Sequence, residues 1–290
     1  MKIGLYNLEP KYKNLALEKL RMYYRQSGDT VGDCSPVEGN GYDLVYCSSI
    51  FDYTKKDYVT PNMIAGGTGF DIRSKLPSDV EDMQPRLNFG FTTRGCFRGC
   101  PFCVAWIKEG LKVSVIGDLY SLWDGKNRLI KILDNNILAV PEHFELICRQ
   151  AQENNLILDF NQGLDIRLVT ERLAKVMAAT KMSRIRFAFD SPLLEDIIRE
   201  KVSLLRSIPE FERRDFFFYV LMGYEGNIRD DLHRLNILKE LNCRAYGMRH
   251  KNMPRDRHRS EVIRWANLPW AFMKYTFAEF YKLRTTGSIG

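Results

Sequence analysis

Apolar positions along this chain fall into two alternating rhythms, and the alternation sets the expected fold class. "KIGLYN" is a short apolar strand. "NLALEKLRMYYRQSG" follows with Leu15, Leu20, Tyr23 and Tyr24 at helical spacing and stops at Gly28. "DLVYCSSIF" is a second buried strand, and "NMIAGGTGF" a third that ends in a glycine turn. Strands that alternate with helices imply parallel pairing through right-handed crossovers, so residues 1–75 are expected to form a small Rossmann-like α/β unit. The polar stretch "DIRSKLPSDVEDMQP", with two prolines and mixed charge, reads as a linker, placed at 76–85.

A longer α/β series begins near residue 88. Its strand candidates are "NFGFTT", "RLIKILDN", "LILDFNQG", "RIRFAFD", "FFFYVLMGY" and "CRAYGMR". Helical segments such as "PEHFELICRQAQENN", "TERLAKVMAAT", "LEDIIREKVSLLRSI" and "IRDDLHRLNILKELN" lie between most of them. About six β/α repeats result, fewer than a full eight-fold barrel needs. Residues 251–285 break the rhythm, being first basic and then aromatic. No internal repeat or low-complexity segment stands out.

Composition narrows the setting. A chain of 290 residues that is 45% hydrophobic can bury a large core. It has no run of 18 apolar residues, so no membrane-spanning helix and no membrane partner are expected. The start, "MKIGLYNLEPKYK", lacks a long apolar stretch followed by a small-residue cleavage site, so no secretory signal is expected. Together with an odd count of seven cysteines this points to a reducing, cytoplasmic compartment. The net charge of +7 is compatible with an anionic partner without identifying one.

Three of the seven cysteines, Cys96, Cys100 and Cys103, stand in "GCFRGCPFC" at spacing C-x3-C-x2-C. Thiolates this close bind soft metal, either zinc or an iron–sulfur cluster. Structural zinc wants four closed ligands, but the nearest histidine, His143, is forty residues on and no second cysteine pair follows. Three cysteines on a four-iron cluster would leave one iron without a protein ligand, and an open metal position marks a reactive site.

The stretch "TTRGCFRGCPFC" resembles the signature of the radical S-adenosylmethionine enzymes: an apolar strand, then this cysteine loop with an aromatic, Phe102, before the last cysteine. The resemblance covers roughly residues 86–250. It implies a partial (β/α)6 barrel at 86–250, a [4Fe–4S] cluster on Cys96, Cys100 and Cys103, and S-adenosylmethionine chelating the fourth iron. Reductive cleavage would then yield a 5′-deoxyadenosyl radical that abstracts hydrogen from a substrate. It further implies Phe102 near the adenine and an external electron donor of the flavodoxin or ferredoxin type.

Other positions follow the family less closely. A glycine-glycine-glutamate motif usually ends the second strand; this chain has Asp134, Asn135 and Asn136 there, whose carbonyls and carboxylate would accept from an ammonium group. "DFNQGLDIRLVTERL" puts Asn161, Gln162, Asp165 and Arg167 at a strand's carboxyl end, where barrel enzymes place their chemistry, and Asp190 ends the next strand similarly. The same residues would serve as helix caps or surface ion pairs. "YVLMGYEGNIRDDLHRL" resembles the segment that packs along the adenine, with the backbone of Leu221, Met222 and Gly223 facing the cofactor and Glu225 and Gly226 in the turn.

The front unit resembles a shortened cobalamin-binding domain in its strand pattern and its Gly66–Gly67 turn. The Asp-x-His-x-x-Gly ligand motif is absent, so it is expected as a fold remnant, and cobalamin is retained only as a cofactor of that resemblance. A methylthiotransferase reading fails on ligand count, because the front unit offers only Cys34 and Cys47. Residues 244–264 hold seven Lys or Arg against Asp256 and Glu261, and an aromatic run follows. Interleaved basic and aromatic residues suit a nucleotide or nucleic-acid substrate. The plainer expectation is a closing segment whose Trp265, Trp270, Phe272 and Phe277 pack inward. The expected function is a radical S-adenosylmethionine enzyme acting on an unidentified substrate. The alternatives are an iron–sulfur electron-transfer protein without catalysis, and a zinc-stabilised RNA-binding protein.

Overall fold

The computed structural model describes residues 1–224 and 227–288. The chain divides into two compact units, and the division does not follow chain order. The first comprises Met1–Gly90, Gly95–Lys112 and Tyr120–Gly125; the second comprises Phe91–Arg94, Val113–Leu119 and the chain from Lys126 onward.

In the first unit, β1 (Lys2–Asn7), α1 (Leu15–Gln26), β2 (Thr30–Asp33), β3 (Leu44–Ser48) and β4 (Met63–Gly66) build a parallel sheet in the order β2-β1-β3-β4. The expected α/β pattern with parallel pairing is therefore present, with α1 on the β1-to-β2 crossover. Helix α1 starts where the Asn14 side chain accepts from the Leu17 N–H. It buries Leu17 and Leu20 against Ile3, Leu5 and Val31. Residues 76–85 contain a short helix, α2 (Ser78–Glu81), that packs against α1: Val80 is buried in the same cluster. The buried Lys19 ammonium bonds the Glu81 carboxylate at 3.1 Å. This unit also holds β5 (Phe89–Gly90) and a short helix, α3 (Ala105–Glu109).

The second unit begins with β6 (Thr93–Arg94), paired antiparallel with β7 (Ser114–Val115). The first strand expected in the long series is thus two short pieces, β5 and β6. The break falls where the Thr92 N–H is drawn onto the Asp134 carboxylate at 2.6 Å instead of into a strand ladder. Five of the expected strands are present: β8 (Leu129–Ile132), β9 (Ile157–Phe160), β10 (Ile185–Ala188), β11 (Phe216–Met222) and β12 (Arg244–Arg249). They run parallel in chain order. β8 pairs with β9, and β10, β11 and β12 pair in turn. A single parallel bridge, Leu158 to Met182, carries β9 toward β10. Helices α4 (Pro141–Glu153), α5 (Glu171–Ala179), α6 (Glu195–Arg206) and α7 (Ile228–Glu240) intervene.

Alternation along these strands separates two faces. Ile130, Ile132, Leu158, Phe160, Phe187, Phe218 and Val220 point into the core with Phe144, Ile147, Val202 and Leu235 of the helices. The residues between them form the opposite face. Three C-terminal helices follow: α8 (Arg257–Asn267), α9 (Pro269–Lys274) and α10 (Phe277–Thr285). α8 and α9 pack on β12, the edge of its sheet. Trp265, Phe272 and Phe280 are fully buried, and Phe277 is half-buried with its ring 5.8 Å from Trp265. The aromatic run is therefore mainly core, as expected, although Trp270 is 52% exposed. The Asn267 side chain accepts from the Gly247 N–H at 2.7 Å and donates to its carbonyl at 3.2 Å, so an amide completes the edge strand.

Candidate functional site

The cysteine loop folds back on itself. Gly95 has φ of +94°, and a Cβ there would stand 2.1 Å from the Lys112 carbonyl oxygen, so only glycine admits this crossing. The Cys96 N–H donates to the Gly110 carbonyl at 3.1 Å and closes the loop. The Cys100 carbonyl accepts from both the Cys103 N–H and the Trp106 indole N–H, each at 2.9 Å. The Ala105 N–H points at Cys103 Sγ at 3.4 Å, a contact that stabilises a thiolate over a thiol. Cys96, Phe102, Cys100 and Cys103 are all half-buried. Phe97, Val104 and Leu111 of the same loop are exposed by 46%, 51% and 53%.

Among the described residues, no three His, Cys, Asp or Glu side chains form a group that could hold a single metal ion. A zinc ion needs ligands converging on one point. A four-iron cluster takes one thiolate per iron, so its sulfurs stand apart, and a donor set of three thiols within eight residues suits it chemically.

Directly before the loop, the second unit holds a buried polar chain. Thr92 donates its N–H to Asp134 Oδ1 and its hydroxyl to Asp134 Oδ2, both at 2.6 Å. The hydroxyl proton is thereby used, so the 3.1 Å contact to His143 has the imidazole Nε2–H donating to Thr92. Burial pushes the Asp134 carboxyl up, against its bonds to Thr92 and Thr93, and pushes the His143 imidazole down. Asp134 thus anchors the backbone leading to the cysteines.

The strand ends bring several expected residues together. The Arg167 guanidinium grips Asp165 with two bonds, 2.6 and 3.1 Å, and Asn136 Nδ2 reaches the same carboxylate at 3.3 Å. Asp190 is half-buried and accepts from the Leu221 N–H at 2.9 Å. Burial raises its pKa, opposed by that bond and by the fields of Arg234 and Arg167. Gln162 is exposed and Asn135 half-buried. Met222 is fully buried and its carbonyl accepts from His250 N–H, so neither its side chain nor that oxygen lies on the polar face. Leu221, its half-buried neighbour, points the other way. Glu225 and Gly226 lie outside the described residues.

Sequence reasoning missed the middle of the polar face. Lys131 stands opposite Asp159, Arg186 is paired with Asp159, and Tyr219 stands opposite Tyr246 with ring centroids 6.1 Å apart. The Tyr219 hydroxyl donates to the Asn161 carbonyl at 3.0 Å. The signal was period two: a polar residue on the face opposite the core-facing positions of each strand, in "LIKI", "ILDF", "IRFA", "FFFYVLM" and "RAYGMR".

The carboxyl end of the first unit's sheet is filled by its own chain. Gly67 has φ of +93°, and a Cβ there would meet the Ser49 carbonyl at 2.5 Å; one at Gly69 would meet that of Phe51 at 2.4 Å. Glu9, buried, accepts from Ser49 Oγ at 2.7 Å and from the Ile50 and Phe51 N–H groups; burial pushes its carboxyl up, but the Thr54 side chain together with these three bonds holds it below the ordinary range. The glycine turn packs against backbone rather than leaving a cradle, so these residues do not fit cobalamin. No family model matches the chain, and no curated protein matches it.

Proposed function

We propose that this chain is a radical S-adenosylmethionine enzyme, with Cys96, Cys100 and Cys103 holding a [4Fe–4S] cluster and the five parallel strands forming the body of the partial barrel. The observation that carries the reading is the loop itself: three half-buried thiols in a turn whose crossing demands Gly95. Such a cluster, when bound, supplies the electron that breaks the sulfonium of S-adenosylmethionine and frees a hydrogen-abstracting radical.

The chain's own residues then have defined work. Asp134 holds the loop's approach at Thr92. The Asn136–Asp165–Arg167 group offers amide and carboxylate oxygens to an ammonium and a guanidinium to a carboxylate, the two ends of an amino acid. Lys131, Asp159, Arg186, Tyr219 and Tyr246 are the groups available to a substrate, and their mix of cations and phenol rings suits a nucleotide. The exposed apolar rim of Phe97, Val104 and Leu111 suits the docking of an external one-electron donor of the flavodoxin or ferredoxin type.

The test is anaerobic. The purified protein, reconstituted with iron and sulfide, is mixed with S-adenosylmethionine and dithionite, and 5′-deoxyadenosine is measured by mass spectrometry. Deoxyadenosine from the native chain and none from Cys100→Ala is the expected result. Zinc without iron in the purified protein would overturn it, and an assembled cluster that leaves the cofactor intact would favour an electron carrier.

A further inference from the structure

The carboxyl end of a parallel α/β sheet is where such units ordinarily bind a ligand, and here the glycine turn is filled by the chain itself. What the first unit presents instead is a ladder of aromatic rings. Tyr12, on the loop after β1, meets Phe51, on the loop after β3, edge to face at 5.3 Å. Phe51 in turn stacks on Tyr53 at 5.1 Å with planes 12° apart. The ladder's ends are open: Tyr12 is 54% exposed and Tyr53 77% exposed. Tyr53 therefore keeps a ring face in water while its other face is backed by Phe51.

Charge accompanies the rings. Lys11 and Lys13 flank Tyr12, and Lys55 and Lys56 follow Tyr53. Lys56 is folded back onto the Asp52 and Thr54 carbonyls, whereas Lys11, Lys13 and Lys55 are exposed and make no hydrogen bond or ion pair among the described residues. The exposed carboxylates on these two loops are Asp52 and Asp57; Glu9 is turned inward onto Ser49 and the backbone.

We infer that this surface binds single-stranded nucleic acid, with bases stacking on Tyr53 and Tyr12 and phosphates held by Lys11, Lys13 and Lys55. Rings presented with an open face beside unpaired ammonium groups are what unpaired bases on a phosphate chain require; a duplex hides its base faces. The rigid backing matters, because a ring held by Phe51 loses little freedom when a base lands on it. The inference concerns the first unit alone and does not depend on the cluster.

The test is fluorescence anisotropy of a labelled oligouridylate with the full chain, reconstituted and unreconstituted, alongside a duplex RNA of equal length. Expected is salt-sensitive binding that prefers the single strand. Tyr53→Ala should weaken it about 5- to 150-fold, the range for losing one stacked base, while Tyr53→Trp should retain it. Lys11→Ala with Lys13→Ala should flatten the dependence on salt by roughly one to two phosphate contacts. Tyr53 is exposed, so the melting temperature of each variant should match the native chain. No binding, equal affinity for the duplex, or loss only on Arg255→Ala with Arg257→Ala in the basic C-terminal segment would each overturn the inference.

Discussion

Arg234 and Asp231, one turn apart on α7, form an ion pair at 2.6 Å with both side chains almost wholly out of water, 4% and 2% exposed. Each has further duties. Arg234 donates to the Phe189 carbonyl at 2.6 Å and the Leu221 carbonyl at 2.8 Å, and Asp231 accepts from the Gly223 N–H at 3.1 Å. The pair ties α7 to the carboxyl ends of β10 and β11. Burial pushes Asp231 up and Arg234 down, and their attraction opposes both shifts. Removing one member strands the other's charge. Arg234→Met is expected to cost about 3–5 kcal/mol, and Asp231→Leu added to it to restore part of that loss. Urea unfolding of the single and double variants measures both; an Arg234→Met chain as stable as the native one would refute the clamp.

Gly95 sets the entry to the cysteine loop. Gly95→Ala puts a side chain into a left-handed conformation and a Cβ against the Lys112 carbonyl. Relief requires the crossing to open, at about 1–3 kcal/mol or more. The expected outcome is lower stability together with reduced iron per chain after reconstitution, read by urea unfolding and metal analysis. Unchanged iron content would mean that the crossing does not shape the thiol donors.

Local patterning made most of the fold legible. "LILDF" is a short apolar run and "RIRFAF" alternates, and β9 and β10 lie within them. "NFGFTT" read as one strand because its apolar residues alternate, yet Asp134, forty-two residues away, captures the Thr92 N–H and breaks it. Lys19 and Val80 carried no sign that α2 would pack on α1, because a helix of four residues has no periodicity to read. In the candidate site, Asp165 and Arg167 were visible from their place after a strand. Asp159 and Arg186 were not, since a charge inside a short strand looks like a solvent-facing position until its partner is known.

His143 makes the second unit's stability depend on pH. Its imidazole is buried against Thr92 and its pKa lies below the ordinary 6.5. Between the folded and unfolded values the unfolded chain binds more protons, so folding releases one there. His143's contribution is therefore complete above pH 6.5 and is lost as pH falls through the interval below it. His143→Gln keeps a donor for Thr92 without the titration. Its stability, followed by urea unfolding across mildly acidic pH, is expected to fall less steeply than that of the native chain; parallel curves would exclude His143 as a source of the slope.

Lys239 secures the C-terminal helices. Its ammonium donates to the carbonyls of Phe272 and Tyr275 at 2.8 Å and of Met273 at 3.1 Å, so all three protons are used on the open end of α9. Burial lowers its pKa, with Glu279 opposing. The three carbonyls stand where a helix leaves its last acceptors without partners, and a cation there also meets the negative end of the helix dipole. Lys239→Met keeps the methylene stem packed but removes the donors. The expected cost is about 1–3 kcal/mol, with faster amide exchange confined to α9, the turn after it and α10. If exchange rises uniformly across the chain instead, Lys239 supports the whole second unit rather than its last helices. The direction of that result also bears on β12, because Asn267 caps its edge only while α8 and α9 stay docked.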